Sequence, residues 1–303
     1  MNVPARVVAG RGAATAAAAS DATAASGFAS STLSQAAWPS GTLAVQPGAD
    51  SPRLARQWLQ RFFLLYTPLW TAACVVVMRS GAFKHWRDPG HMAFGLALAL
   101  PLWIVPLIAK VERGRPLASR YTVKASLFIF LFSFLQNYFG APLFFRCFGM
   151  EYHFAVTLRG NGSPWFLSFM TVAYFSTYFA VMQLGLRAAD ARLDRVRWQP
   201  LRRGLRAGAC LLLGYAMAFT ETLTMANEWL RGYFAYADKT RMLVYGSLCY
   251  GTLLSIALPL YARLGDDQRP PLPLVEVLWQ ALGANMLVLI CYELFASIIG
   301  RAS

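Results

Sequence analysis

From Trp58 onward, apolar residues fall into seven long runs separated by short polar stretches, at about 58–78, 92–109, 123–145, 164–186, 205–227, 243–261 and 274–299. Each run is close to the roughly 20 residues that an α-helix needs to cross a hydrocarbon core about 30 Å thick. Because backbone polar groups must be satisfied internally in lipid, such runs are expected to be helices. The pattern predicts an all-α fold, a polytopic membrane helix bundle of about seven transmembrane helices over residues 53–303. The second run contains Pro101 and Pro106, which would break a soluble helix but are tolerated where neighbouring helices satisfy the freed carbonyls.

Residues 1–52 have no such pattern. Stretches such as AATAAAASDATAAS are rich in alanine, serine and threonine, a composition expected of a disordered tail. The shortage of acids and the early Arg6 and Arg11 are features of transit peptides. The charged start and long apolar centre of a secretory signal are missing.

Composition strengthens the membrane reading: 57% of the residues are hydrophobic and 14% charged, against roughly half and a quarter in soluble domains. The net charge of +14 sits mostly beside the apolar runs rather than in a nucleic-acid module, so membrane lipid is the expected partner and nucleic acid is not. Near the spans, 16 Lys and Arg fall on the side of the N-terminus and 9 on the other. The positive-inside rule therefore places the N-terminus in the cytoplasm and the C-terminus across the membrane. Most of the asymmetry lies in the fourth loop, from Arg187 to Arg206, where a topology anchor is the expected role.

The five cysteines, Cys74, Cys147, Cys210, Cys249 and Cys291, lie in or beside apolar runs without C-x-x-C spacing. Neither a disulfide framework nor a metal site is expected. The three histidines, His85, His91 and His153, fall in loops or at span edges. Zinc-protease, nucleophile-elbow and phosphate-loop motifs are absent, and no cofactor is expected. Asn161-Gly-Ser is formally a glycosylation acceptor, disfavoured by the following Pro164.

Two acidic residues break the apolar runs. Glu221 (AMAFTETLTMAN) and Glu293 (MLVLICYELFASII) each fall some six residues inside the C-terminal end of a span, about 9 Å deep at 1.5 Å per residue. An ionisable group at such depth costs about 2.5–3.5 kcal/mol on insertion scales and is a functional candidate by default. The fifth and seventh spans run in the same direction, so the two glutamates are expected at similar depth and in one cavity. Asn137 and Tyr138 of the third span reach the same half. Removal from water disfavours the charged form of a carboxyl, which suits a general acid; an interhelical hydrogen bond without chemistry is the alternative. Aromatic residues, 14% of the chain, give flat surfaces for a polycyclic lipid and ring faces that attract a cation.

Five segments, RFFLLYTPLW (61–70), RYTVKASLFIFLFSFLQNYF (120–139), FTETLTMAN (219–227), YADKTRM (236–242) and ALGANMLVLICYEL (281–294), resemble in order and spacing the pattern of the cycloeucalenol cycloisomerases. The likeness covers about residues 57–300. It implies an isomerase of sterol synthesis without a redox cofactor, acting on a cyclopropyl sterol: the 9β,19-cyclopropane ring of cycloeucalenol opens to give obtusifoliol through a C9 cation. It also implies an endoplasmic reticulum membrane, or the inner membrane of a bacterium. On this likeness Glu221 is the expected proton donor and Glu293 the acceptor or countercharge, with the roles reversible, or one carboxyl serves both steps. Asn137, Tyr138 and Asn227 are candidates to orient the acid, and Tyr66 to line the sterol slot, each with an ordinary interhelical hydrogen bond as the alternative. Arg120, Lys124 and Asp238 match charged positions of the family and are expected to anchor span ends, with contact to the sterol 3-hydroxyl as the alternative. Plant members carry histidines in the third and fourth spans where this chain has apolar or hydroxyl residues, so a mechanism resting on them does not transfer. A Δ8–Δ7 sterol isomerase and a non-catalytic sterol-binding membrane protein are the competing readings.

Overall fold

The computed structural model describes residues 52–109, 111–266 and 270–300. The expected tail lies outside them, apart from Pro52. Among the described residues seven helices are long and apolar enough to cross a membrane: α1 (Pro52–Arg79), α2 (Asp88–Ile108), α3 (Tyr121–Phe148), α4 (Trp165–Leu193), α5 (Gln199–Met225), α6 (Lys239–Arg263) and α7 (Leu274–Ile299). The chain is a multi-pass membrane protein. Pro101 and Pro106 lie inside α2 without ending it, as Pro68 does in α1 and Pro259 in α6. Several ends differ from expectation: α1, α2, α5 and α6 begin four to six residues earlier, α4 continues to Leu193, and α5 stops at Met225, which leaves Asn227 in a turn.

The most enclosed helix is α4, which packs against α1, α2, α3 and α5; 61% of its apolar window is buried, against 17% in α1. Large apolar side chains such as Leu69, Val76, Leu212 and Ile298 are exposed, which is what a lipid-facing surface requires. The tightest helix pair is α5 with α6. A Cβ on Gly214 would stand 2.6 Å from the Gly251 carbonyl oxygen. Lacking one, the two backbones come together, as small residues allow in membranes.

Two helices contain a single π turn, Gln136–Gly140 in α3 and Met242–Gly246 in α6. Such turns shift every following side chain around the helix and are frequent at functional sites. Four short strands close one end of the bundle. β1 (Met150–Tyr152), after α3, pairs antiparallel with β4 (Phe234–Tyr236), before α6, in the register Met150↔Tyr236. β2 (Arg159–Gly160) and β3 (Ser163–Pro164) form a hairpin. Its two-residue turn is Asn161-Gly162, both at positive φ, the arrangement for which Asn-Gly is preferred. The Asn161 side chain is turned inward there and donates to the Tyr138 carbonyl at 2.9 Å.

At the opposite end, Glu112 is buried and accepts from the backbone N–H groups of Tyr121 and Thr122 at 2.9 and 3.1 Å. It thereby caps the start of α3, where a carboxylate also meets the positive end of the helix dipole. Asp238 does the same for α6 by accepting from the Arg241 N–H at 2.8 Å. Arg120 donates to the Arg115 carbonyl at 2.8 Å. Arg120 and Asp238 thus serve helix ends, whereas Lys124 is buried in the first turn of α3.

Candidate functional site

The cavity that collects the chemistry occupies about 370 Å³, inside the roughly 300–1,000 Å³ range of small-molecule sites. Its wall is built from the C-terminal parts of α1, α3, α5 and α7 and the N-terminal parts of α4 and α6, with β1 and β4 across the end. This is the half of the bundle for which charge asymmetry predicts the side away from the cytoplasm. Aromatic and aliphatic side chains dominate the wall, and Glu221 is the single charge-bearing residue among the described residues that line it.

Glu221 reaches the cavity because the close α5–α6 contact at Gly214 fixes the rotation of α5. Glu221 lies seven residues further on, almost on the same helix face. Tyr178 of α4 and Tyr250 of α6 stand beside its carboxyl, while its Oε2 is buried without a hydrogen-bond partner among the described residues. Tyr152 of β1, Tyr174 of α4 and Tyr236 of β4 complete a surround of phenols. Burial, and after it the proximity of Glu221, pushes the Tyr152 and Tyr236 phenols above the usual tyrosine range, so both stay protonated donors.

Asn137 belongs to the same wall. Its Nδ2 donates at 2.7 Å to the Ser133 carbonyl and at 2.7 Å to Thr171 Oγ1. Thr171 is in turn 2.8 Å from the Tyr174 hydroxyl, so Asn137 is linked through α4 to the phenols around the acid.

The other sequence candidates stand elsewhere, and the expectation of one cavity for both glutamates is corrected. Glu293 faces outward, with 70% of its side chain exposed, and pairs with Arg146 at 2.8 Å. The packed face of α7 runs through Val277, Ala281, Ala284, Val288 and Tyr292, and a step of one residue turns Glu293 about 100° away from Tyr292. Tyr66 donates to the Leu98 carbonyl at 3.1 Å, joining α1 to α2. Tyr138 packs its ring toward Trp165, outside the main cavity. Asn227 shapes the turn after α5, accepting from the Leu230 N–H at 3.1 Å and donating to the Thr224 carbonyl. For Tyr66 the interhelical hydrogen bond describes the contact made, whereas Asn227, among the described residues, bonds only within its own turn.

Sequence reasoning passed over the tyrosines that surround Glu221. The spacing of Tyr174 and Tyr178, four apart in an apolar helix, was a usable signal. It did not separate them from Tyr66, Tyr121 or Tyr261, which also lie in spans. Among the described residues no three His, Cys, Asp or Glu side chains come together in a way that could hold a metal ion.

Fold and cavity together define a multi-pass helical membrane protein that encloses a largely apolar chamber around one carboxyl and its phenols. No family model and no solved structure matches the chain. A cycloeucalenol cycloisomerase from Arabidopsis thaliana is 30% identical over an alignment of 267 residues that covers 84% of this chain and 92% of that protein. The chain belongs to the cycloeucalenol cycloisomerase family.

Proposed function

We propose that the protein is a sterol isomerase that opens the 9β,19-cyclopropane ring of cycloeucalenol to give obtusifoliol, with Glu221 as the acid. The observation that carries this reading is a lone carboxyl, ringed by hydroxyl donors, on the wall of an otherwise apolar chamber in a chain of this family. The chemistry asks for little more. Protonated Glu221 gives its proton to C19; the electron pair of the strained C9–C19 bond becomes the new C19–H bond, leaving a cation at C9. The C8–H bonding pair then forms the C8=C9 alkene, and the C8 proton returns to the carboxylate. Atoms and charge balance without a redox partner.

Glu293 stands outside the chamber, so the return step falls to Glu221 itself, with the Tyr178 and Tyr250 hydroxyls holding the carboxyl and passing the proton over any difference in reach. The aromatic wall turns ring faces toward the developing cation and keeps water, which would trap it, away.

Expression in a host that accumulates cycloeucalenol tests the reading: obtusifoliol should appear with the wild type. Glu221→Gln, folded and inserted, should lower turnover by about 10²- to 10⁴-fold. Unchanged cyclopropyl sterol with shifted ring-B alkenes would transfer the assignment to a Δ8–Δ7 isomerase. Tight sterol binding without turnover would make the protein a carrier. A Glu221→Gln enzyme with more than about a tenth of wild-type turnover would remove the proton-donor role.

A further inference from the structure

The wall of the cavity has a second polar place, remote from the phenols around Glu221, where α3 meets α7. There Asn285 Nδ2 donates to the Ala281 carbonyl at 2.8 Å, and Gln136 Nε2 donates to Asn285 Oδ1 at 2.7 Å. This chain of donors has only one direction. The Ala281 carbonyl requires the Asn285 amide nitrogen, which leaves Asn285 Oδ1 for the Gln136 nitrogen. Gln136 Oε1 is thus fixed as a bare acceptor. It is buried without a hydrogen-bond partner, and so is the Tyr292 hydroxyl. Both residues line the cavity.

Local backbone makes room for the pair. Gln136 opens the π turn of α3 and Gly140 closes it. A Cβ at Gly140 would collide with Gln136 Oε1 and come within 3.2 Å of the Tyr292 ring, so one missing methyl group leaves the Gln136 amide and the Tyr292 ring their space. Two polar groups left unsatisfied in a protein interior are costly, and such groups are completed by a water, an ion or a bound molecule.

We propose that Gln136 and Tyr292 form the subsite that takes the ring-A hydroxyl of the sterol, an inference that rests on the sterol reading above. An alcohol donates one hydrogen bond and accepts others. It would donate to Gln136 Oε1 and accept from the Tyr292 hydroxyl, satisfying both. A ketone or ether at the same carbon satisfies only one. The ring of Phe144 stands between this place and the acid, its centroid 5.7 Å from that of Tyr292 and 6.2 Å from that of Tyr250. A flat fused-ring ligand laid across Phe144 therefore has its alcohol at α3 and α7 and its central rings toward Glu221. Gln136, Asn285 and Tyr292 set the register of the substrate; they take no part in proton transfer.

Equilibrium binding to the purified full-length protein in lipid nanodiscs tests this, with cycloeucalenol, its 3-deoxy counterpart and its 3-methyl ether as probes. The wild type should bind the alcohol about 10- to 100-fold more tightly than the 3-deoxy compound, as two neutral hydrogen bonds allow, with the ether between. Tyr292→Phe removes an oxygen that no described protein atom holds. It should shrink the ratio about tenfold through the alcohol alone, with 3-deoxy affinity unchanged. Equal affinity of the wild type for alcohol and 3-deoxy compound, or a ratio untouched by Tyr292→Phe, would overturn the subsite and leave a structural or water-filled polar pair. Equal affinities on the wild type overturn the subsite even if the variant misfolds. Turnover is read separately. Discrimination without ring opening would sink the isomerase reading and spare the subsite, and ring opening without discrimination would do the reverse.

Discussion

Glu221 and Glu293 look alike in the sequence: each is a lone acid set about two turns inside the end of an apolar span. The chain resolves them by rotation about the helix axis. Glu221 follows Gly214 by seven residues and inherits its inward face, whereas Glu293 leaves the packed face of α7 and finds Arg146. The pair lies outside the chamber. Glu293→Gln should therefore leave turnover far above the level of Glu221→Gln, whose loss of a positioned acid is expected to reach at least about 10². Parallel rate measurements on the two variants, each at matched amounts of folded protein, check this. Equal losses would return Glu293 to the mechanism and require a large movement of α7. Depth along a helix was legible from residue counting; the facing of each acid was not, because in a membrane both lipid and protein neighbours accept apolar side chains, and hydrophobicity no longer marks the inside.

At the scale of elements, the site depends on a few departures from regular helix. The contact of α5 with α6 at Gly214 and Gly251 sets the approach of Glu221 to Tyr250, and Gln136 opens the π turn of α3 at the cavity wall. Gly214→Leu should push α5 off α6, at a cost of about 1–3 kcal/mol typical of overpacking. It should lower both the melting temperature of the detergent-solubilised protein and its turnover, whereas Gly208→Leu, at a position with nothing within 4 Å of its Cβ, should alter neither. A wild-type melting curve for Gly214→Leu would mean that the two helices do not need this close approach. The glycines were visible in the sequence, as was the Asn-Gly of the β2–β3 turn. Their partners were not, since Gly251 is thirty-seven positions from Gly214 and only the fold sets them side by side. The β1–β4 pairing had still less warning: its strands are three residues each and are joined across two spans.

For the molecule as a whole, an odd number of spans puts the two ends of the bundle on opposite sides of the membrane. With 16 basic residues flanking one side and 9 the other, the N-terminal end is expected in the cytoplasm. A protease-protection assay with a tag at each end should find the N-terminal tag accessible from the cytoplasm and the C-terminal tag shielded; tags on the same side would contradict seven spans. The sequence by itself determined the solvent, the number and approximate limits of the helices, the rarity of ionisable groups inside them and the likeness to a family, because each follows from local composition and order. What the tertiary structure decided is which of those groups meet. One glutamate of two, one asparagine of two and none of the tyrosines first singled out enter the chamber. Those assignments depend on helix rotation, on two π turns and on close backbone contacts between distant glycines, which arise only when all seven helices pack together.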